Sequence, residues 1–159
     1  MAGHEGSALL NFDAFLDVVR DAPLISIDLI VENLASEVLL GLRRNQPAAG
    51  YWFVPGGRVH KGETLDAAFH RICHTELGRE LERSSACFAG EWEHFYPDNA
   101  GGVPGFGTHY VVLAYRVKIE TADLTLPIGE QHDRYRWVLP HNAAEDPSVH
   151  RHTRDYFAA

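Results

Sequence analysis

Apolar and polar residues follow two rhythms along this chain, and the changes of rhythm divide it into elements. Phe12, Phe15, Leu16 and Val19 fall at i, i+3, i+4 and i+7, one stripe of a helix that ends near Arg20 and is broken by Pro23. Leu24 to Val31 (LISIDLIV) reads as a strand, with Glu37 to Leu42 as its hairpin partner across a turn at Asn33. Tyr51 to Pro55 (YWFVP) predicts a short strand that runs into a glycine turn. The helical rhythm returns from about Thr64 to Leu77, where Leu65, Ala68, Phe69, Ile72 and Cys73 share a face. Ala86 to Tyr96 and Thr108 to Glu120 predict two longer strands. The loop between them, Pro97 to Gly107, holds four glycines and two prolines. After the loop LPIGEQHD come a short strand at Arg134 to Val138 and a helical tail from about Ser148 to Phe157. Regular strand–helix alternation is missing, so the order predicts an α+β fold, an α/β/α sandwich with a mixed sheet packed between helices.

One residue breaks the pattern of the second helix. Glu76 lies four residues after Ile72 and seven after Phe69, so at about 100° per residue it projects from the middle of the apolar stripe. It also sits in the last turn, before Gly78, a residue suited to a left-handed C′ position. The helix dipole is negative there, which disfavours an acid a second time. A carboxylate in such a place needs a cation: an arginine such as Arg58, or a metal ion.

Composition narrows the setting. The chain has 159 residues with 45% hydrophobic and 23% charged, which suits one domain over 1–159 with a single core. No apolar run reaches the ~20 residues of a membrane helix. The N-terminus lacks the basic and apolar regions of a signal peptide. Cys73 and Cys87 are the only cysteines. Cys73 lies on the apolar face as a buried thiol, and the absence of a cysteine framework predicts a cytoplasmic setting. Net charge is −8, with only two lysines and no basic block. That argues against a nucleic-acid surface but not against a small anionic substrate neutralised by a metal and a few arginines. The ten histidines show no HExxH-type spacing, and most read as surface or helix-flanking residues.

The stretch GGRVHKGETLDAAFHRICHTELG resembles a Nudix box, with Gly57, Glu63, Arg71, Glu76 and Gly78 on the family's positions. Two further acids of the usual box are replaced by Ile72 and Thr75, which implies a site reduced to one metal ion. The degenerate box resembles the GDP-mannose mannosyl hydrolase branch of the Nudix superfamily. The likeness extends to GYWFVPGGRV at Gly50 to Val59, HFY at His94 to Tyr96, THYVVL at Thr108 to Leu113 and EQHD at Glu130 to Asp133.

The resemblance implies a Nudix fold and a cytoplasmic, homodimeric enzyme. Its reaction would be the hydrolysis of GDP-mannose, or GDP-glucose, to GDP and free sugar, with water attacking the anomeric carbon with inversion. It implies Mg²⁺, for which Mn²⁺ can substitute, held by the Gly56 main-chain carbonyl, the Glu76 carboxylate and the Gln131 side-chain carbonyl. His132 is the implied general base; an imidazole, with an ordinary pKa of about 6.5, suits that task. Arg43 and Arg58 match arginines that neutralise the diphosphate, and Tyr110 a donor to the leaving phosphate. Asp28 and His94 match polar residues near the sugar. Glu63 and Arg71 match a pair that braces loop against helix. Phe12, Tyr51, Trp52 and the long loop are candidate stacking surfaces for guanine. Two rivals remain at this point: a Nudix pyrophosphatase that attacks phosphorus, and a non-catalytic nucleotide-sugar sensor.

Overall fold

The structure, a computed structural model, describes residues 9–127, 129 and 132–158, with the backbone alone at Asp133. The first helix, α1 (Phe12–Asp21), opens at Asn11, whose side chain accepts from the Ala14 amide at 2.9 Å. Strands β1 (Leu24–Glu32), β2 (Val38–Arg43), β3 (Trp52–Phe53) and β4 (Gly56–Arg58) follow. Helix α2 (Leu65–Leu77) is next. The Thr64 hydroxyl caps the Ala67 amide, and Gly78 ends the helix at φ 63°, a left-handed conformation that glycine adopts without a Cβ penalty. Strands β5 (Cys87–Tyr96), β6 (Thr108–Lys118) and β7 (His132–Val138) and helices α3 (Pro140–Glu145) and α4 (Arg151–Asp155) complete the described chain.

The strands form one mixed sheet in which β1 is central. Along one edge β1 runs parallel to β6, from Leu24↔Tyr110 to Glu32↔Lys118. Along the other edge it changes partner: β4 at its start (Ser26↔Arg58 to Asp28↔Gly56) and β2 at its end (Glu32↔Val38). β2 in turn pairs with β3 through Gly41↔Phe53 and Leu42↔Trp52. The segment from 52 to 58 therefore passes from β2 to β1 and wedges the two apart. A cleft opens where they part.

Both faces of the sheet are covered. Ile27, Leu29 and Val31 of β1 pack with Leu39 under Phe69, Ile72, Cys73 and Leu77 of α2. On the opposite face Ile30, Val38, Leu40 and Ala114 pack with Ala143 of α3, Val149 and Tyr156. Alternate side chains of one strand thus enter two cores, which is why β1 reads as a nearly continuous apolar run. The α+β sandwich anticipated from the sequence is present.

Four local expectations differ from the structure. Gly56–Arg58 forms a strand, not only a turn, because β1 offers a partner whose ladder a three-residue pattern cannot announce. β7 starts at His132, two residues before the expected Arg134. Helix α3 was not anticipated; it has six residues and no side-chain cap. The tail contains a shorter helix, Arg151–Asp155, than the one expected over Ser148 to Phe157. Cys73 is fully buried, and burial pushes its thiol up to about 12.

Candidate active site

The loop before α2 is held by one charged pair. Arg71 Nε donates to Glu63 Oε1 at 2.6 Å and its Nη2 to Glu63 Oε2 at 3.0 Å. The same Nη2 reaches the Arg58 carbonyl at 2.7 Å, while Glu63 Oε2 accepts from the His60 amide at 2.8 Å. Arg71 foremost, then the His60 amide, holds the Glu63 carboxyl below the usual carboxylate range. The pair ties β4 to α2 and so positions the residues on β4, the bracing role expected of it.

The cleft between β1 and β2 opens into a cavity to which every strand contributes. Its lining includes Asp28 (β1), Arg43 (β2), Phe53 (β3), Gly56 and Arg58 (β4), His94 and Tyr96 (β5), Tyr110 (β6) and His132 (β7). Of the site residues expected from the sequence, it gathers Asp28, Arg43, Gly56, Arg58, His94, Tyr110 and His132. Glu76 is not on this lining and Gln131 lies outside the described residues. Phe12, Tyr51 and Trp52 are also absent from the lining. Phe12 borders a separate shallow groove with Arg44, Asn45, Gln46 and the glycine loop.

Two cations face this cavity. The Arg43 guanidinium lies over the Phe53 ring at 5.2 Å, and that of Arg58 over Phe15 at 4.1 Å. Among the described residues neither is in an ion pair, so the Arg58–Glu76 salt bridge considered from the sequence is not formed. Burial lowers the Arg58 pKa, with Tyr110 opposing and Arg71 reinforcing the shift. Burial raises the Tyr110 phenol, while Arg43 and Arg58 pull it down. The three groups are therefore close enough to feel one another's charge.

His132 was expected on an open loop. It is instead the first residue of β7, pairs with Arg43 and is only 4% exposed. Its ring occupies space that a side chain at Gly41 would fill, so glycine at 41 is what admits the imidazole. Most histidines were expected at the surface or beside helices; His132 and His94 are instead buried, while His150 caps α4 and accepts from the His152 amide. His94 is buried, and its ring stacks on His152 with centroids 4.3 Å apart and planes 4° apart. His150 stacks on Phe53 at 4.8 Å. Burial first, then the neighbouring histidines, lowers His94 to about 3, and burial with His152 lowers His150 to about 4. These rings are neutral at pH 7.

The same wall holds Asp28. Burial pushes its carboxyl up to about 6, against a hydrogen bond from Tyr156 and the charge of Arg43. The Tyr156 hydroxyl donates to Asp28 Oδ2 at 2.6 Å. Sequence reasoning missed Tyr156, His150 and His152. The available signal was a tail, HRHTRDY, with more histidine and tyrosine than a helix needs for packing.

Residues 22–158 match the Nudix domain. The chain belongs to the Nudix hydrolase family. The low-salt glycan biosynthesis protein Agl8 of Haloferax volcanii is 37% identical over 141 residues, 88% of this chain and 86% of that protein. The fold is shared with a MutT Nudix hydrolase of Burkholderia pseudomallei, with TM-score 0.68, 24% identity and coverage of 86% of this chain and 97% of that one. It is shared too with the Nudix domain of Shewanella oneidensis NrtR, solved with ADP ribose, with TM-score 0.62, 18% identity and coverage of 98% and 96%.

The Nudix box can now be placed in the structure. Ile72 is buried and packs where a Cβ on Gly57 would lie 3.1 Å from its Cγ1, and Thr75 is exposed. Among the buried residues of α2, Ala68, Phe69, Ile72, Cys73, Glu76 and Leu77, Glu76 is the one acid. Nudix enzymes use divalent cations. A buried carboxylate and a main-chain carbonyl are hard oxygen donors of the kind Mg²⁺ takes, and a few protein ligands suffice when substrate phosphates complete the shell. Among the described residues no group of three His, Cys, Asp or Glu side chains converges to form a protein cage. The chemistry of the carboxylate and carbonyl donors fits a hard divalent cation such as Mg²⁺. Among the described residues no helix is long and apolar enough to cross a membrane.

Proposed function

We propose that this Nudix protein hydrolyses a GDP-hexose, GDP-mannose or GDP-glucose, to GDP and free sugar by attack of water at the anomeric carbon with inversion. The observation that carries this reading is the set of side chains that the cavity gathers. Arg43, Arg58 and Tyr110 lie together on it, His132 opens onto it, and its polar lining also includes Asp28 and His94. The first group suits a diphosphate, since a guanidinium can bind two phosphate oxygens at once. Asp28 and His94 suit an uncharged polyol.

In this mechanism His132 takes a proton from water as the water oxygen bonds to the anomeric carbon. The bond from that carbon to the diphosphate oxygen breaks, and its electron pair leaves with GDP. Arg43 and Arg58 stabilise the charge that develops there, and Tyr110 donates a hydrogen bond to it. Glu76, with the Gly56 carbonyl and Gln131, would hold Mg²⁺, which supplies further neutralisation of the diphosphate when bound. Ile72 favours this route over attack at phosphorus: where a second acidic ligand would stand, an aliphatic side chain fills the core. The name of the Haloferax relative, a glycan biosynthesis protein, is in keeping with a sugar-linked substrate.

The test is hydrolysis of GDP-α-D-mannose with Mg²⁺ in heavy-oxygen water. Label in the free sugar beside unlabelled GDP is expected. Label in GMP or in mannose 1-phosphate would mean attack at phosphorus and would overturn the reading.

A further inference from the structure

The C-terminal segment places a residue behind the cavity lining, against Asp28 and His94, that this mechanism does not use. Tyr156 follows α4, and its ring packs edge-on against Trp92 with centroids 5.0 Å apart. Its hydroxyl donates to Asp28 Oδ2 at 2.6 Å and lies 3.4 Å from His94 Nε2. A phenol has one proton. With that proton committed to Asp28, the Tyr156 oxygen can only accept, so His94 donates from Nε2. The stacked His152 places its own Nε2 3.0 Å from the Phe95 carbonyl, which can only accept. Donation therefore runs in one direction, from His94 to Tyr156 to Asp28.

This chain occupies one oxygen of the carboxylate. The other, Oδ1, lies against Gly56, where a Cβ would be 2.6 Å from it, and accepts no hydrogen bond among the described residues. Terminal carboxylate torsions are soft, and an unbraced aspartate turns readily to meet a donor. Here Tyr156 holds one oxygen, and the absence of a Cβ at Gly56 leaves room for the other, so the carboxylate presents an acceptor of fixed direction.

We propose that Tyr156 is a specificity-determining residue: by bracing Asp28 it fixes the direction from which a sugar hydroxyl must donate to Oδ1. The inference rests on reading the cavity as a nucleotide-sugar site. Axial and equatorial hydroxyls on one carbon point in different directions, so a fixed acceptor satisfies one epimer and leaves the other unpaired. Tyr156 acts through Asp28 and is a positioning residue.

The experiment compares the wild-type chain with Tyr156→Phe, which keeps the ring packing on Trp92. Calorimetry with Mg²⁺ would measure Kd for GDP, GDP-mannose, GDP-glucose and GDP-galactose, probes that vary the configuration at two sugar carbons. The spread between best and worst sugar should shrink about tenfold, the scale of one lost hydrogen bond, while the Kd for GDP stays within about twofold. An unchanged spread, or a parallel weakening that includes GDP, would overturn the proposal and leave Tyr156 a scaffold residue. A wild type that binds all three sugars alike would overturn it as well. Release of free sugar by the wild type is scored separately. If none appears, the hydrolase reading fails, while the binding panel still decides the part played by Tyr156.

Discussion

Arg71 is treated in one way by the fold, and Arg43 and Arg58 in the opposite way. Arg71 is locked to Glu63 by two hydrogen bonds and to a main-chain carbonyl by a third. Arg43 and Arg58 have no carboxylate partner among the described residues and rest on aromatic rings. The first arrangement satisfies a charge within the fold. The second holds a charge in place while leaving its donors for something else, at a cost in desolvation visible in the lowered pKa of Arg58. Charges that brace should therefore add to stability and charges that face the cavity should subtract from it, with activity following the opposite pattern.

The sharpest test lies on the cavity side. His132→Gln should lower turnover by roughly 10²–10⁴-fold, as loss of a general base does, with little change in Tm. Steady-state kinetics and a melting curve on the same preparation would show it, and near-normal turnover would remove His132 from the mechanism. Arg58→Met should come next, with a loss of about 10²-fold in kcat and an unchanged or slightly higher Tm. A fall in Tm comparable to that of a brace mutant would erase the distinction between the two sets.

On the brace side, Arg71→Met should cost about 1–2 kcal/mol of stability, since the pair is partly buried and doubly hydrogen-bonded. The pH dependence has a definite sign. The Glu63 carboxyl is depressed, so its contribution is present above the ordinary carboxylate value and lost as pH falls through the folded-state value. Denaturant melts of wild type and Glu63→Gln should converge as pH falls below the folded-state value of the Glu63 carboxyl and separate by pH 6.

The smallest effect should have the reverse sign. The Asp28 carboxyl is raised to about 6, so the folded chain favours its protonated form. The stability given by that neutral form is complete below the unfolded carboxyl value and is lost as pH rises through about 6. Asp28→Asn should gain about 2–4 °C in Tm at pH 8, equivalent to about 1 kcal/mol, and gain nothing at pH 4, while losing activity. A lower Tm at pH 8 would mean that the Tyr156 hydrogen bond outweighs burial.

The legible parts of this molecule are those whose causes are local. Thr64 and Gly78 mark both ends of α2, and the stripe from Leu65 to Cys73 made Glu76 conspicuous before any neighbour was known. β1 and β6 show themselves as apolar runs because both of their faces are buried. Arg43, Arg58, Tyr110 and His132 were found through a family pattern, and they share one cavity. What the sequence did not disclose depends on distant partners. β4 is a strand because β1 lies beside it, and His132 is buried because residue 41 is a glycine. Tyr156 is a site residue only because the fold brings it across 128 positions to Asp28.

That separation has a consequence for synthesis. At about 5–20 residues per second, a ribosome that has made Asp28 needs roughly 6–26 s more to reach Tyr156. Throughout that interval the strand bearing Asp28 exists while its bracing hydroxyl does not. A nascent chain thus cannot close this wall of the cavity early: α4 and Tyr156 must emerge before it is finished.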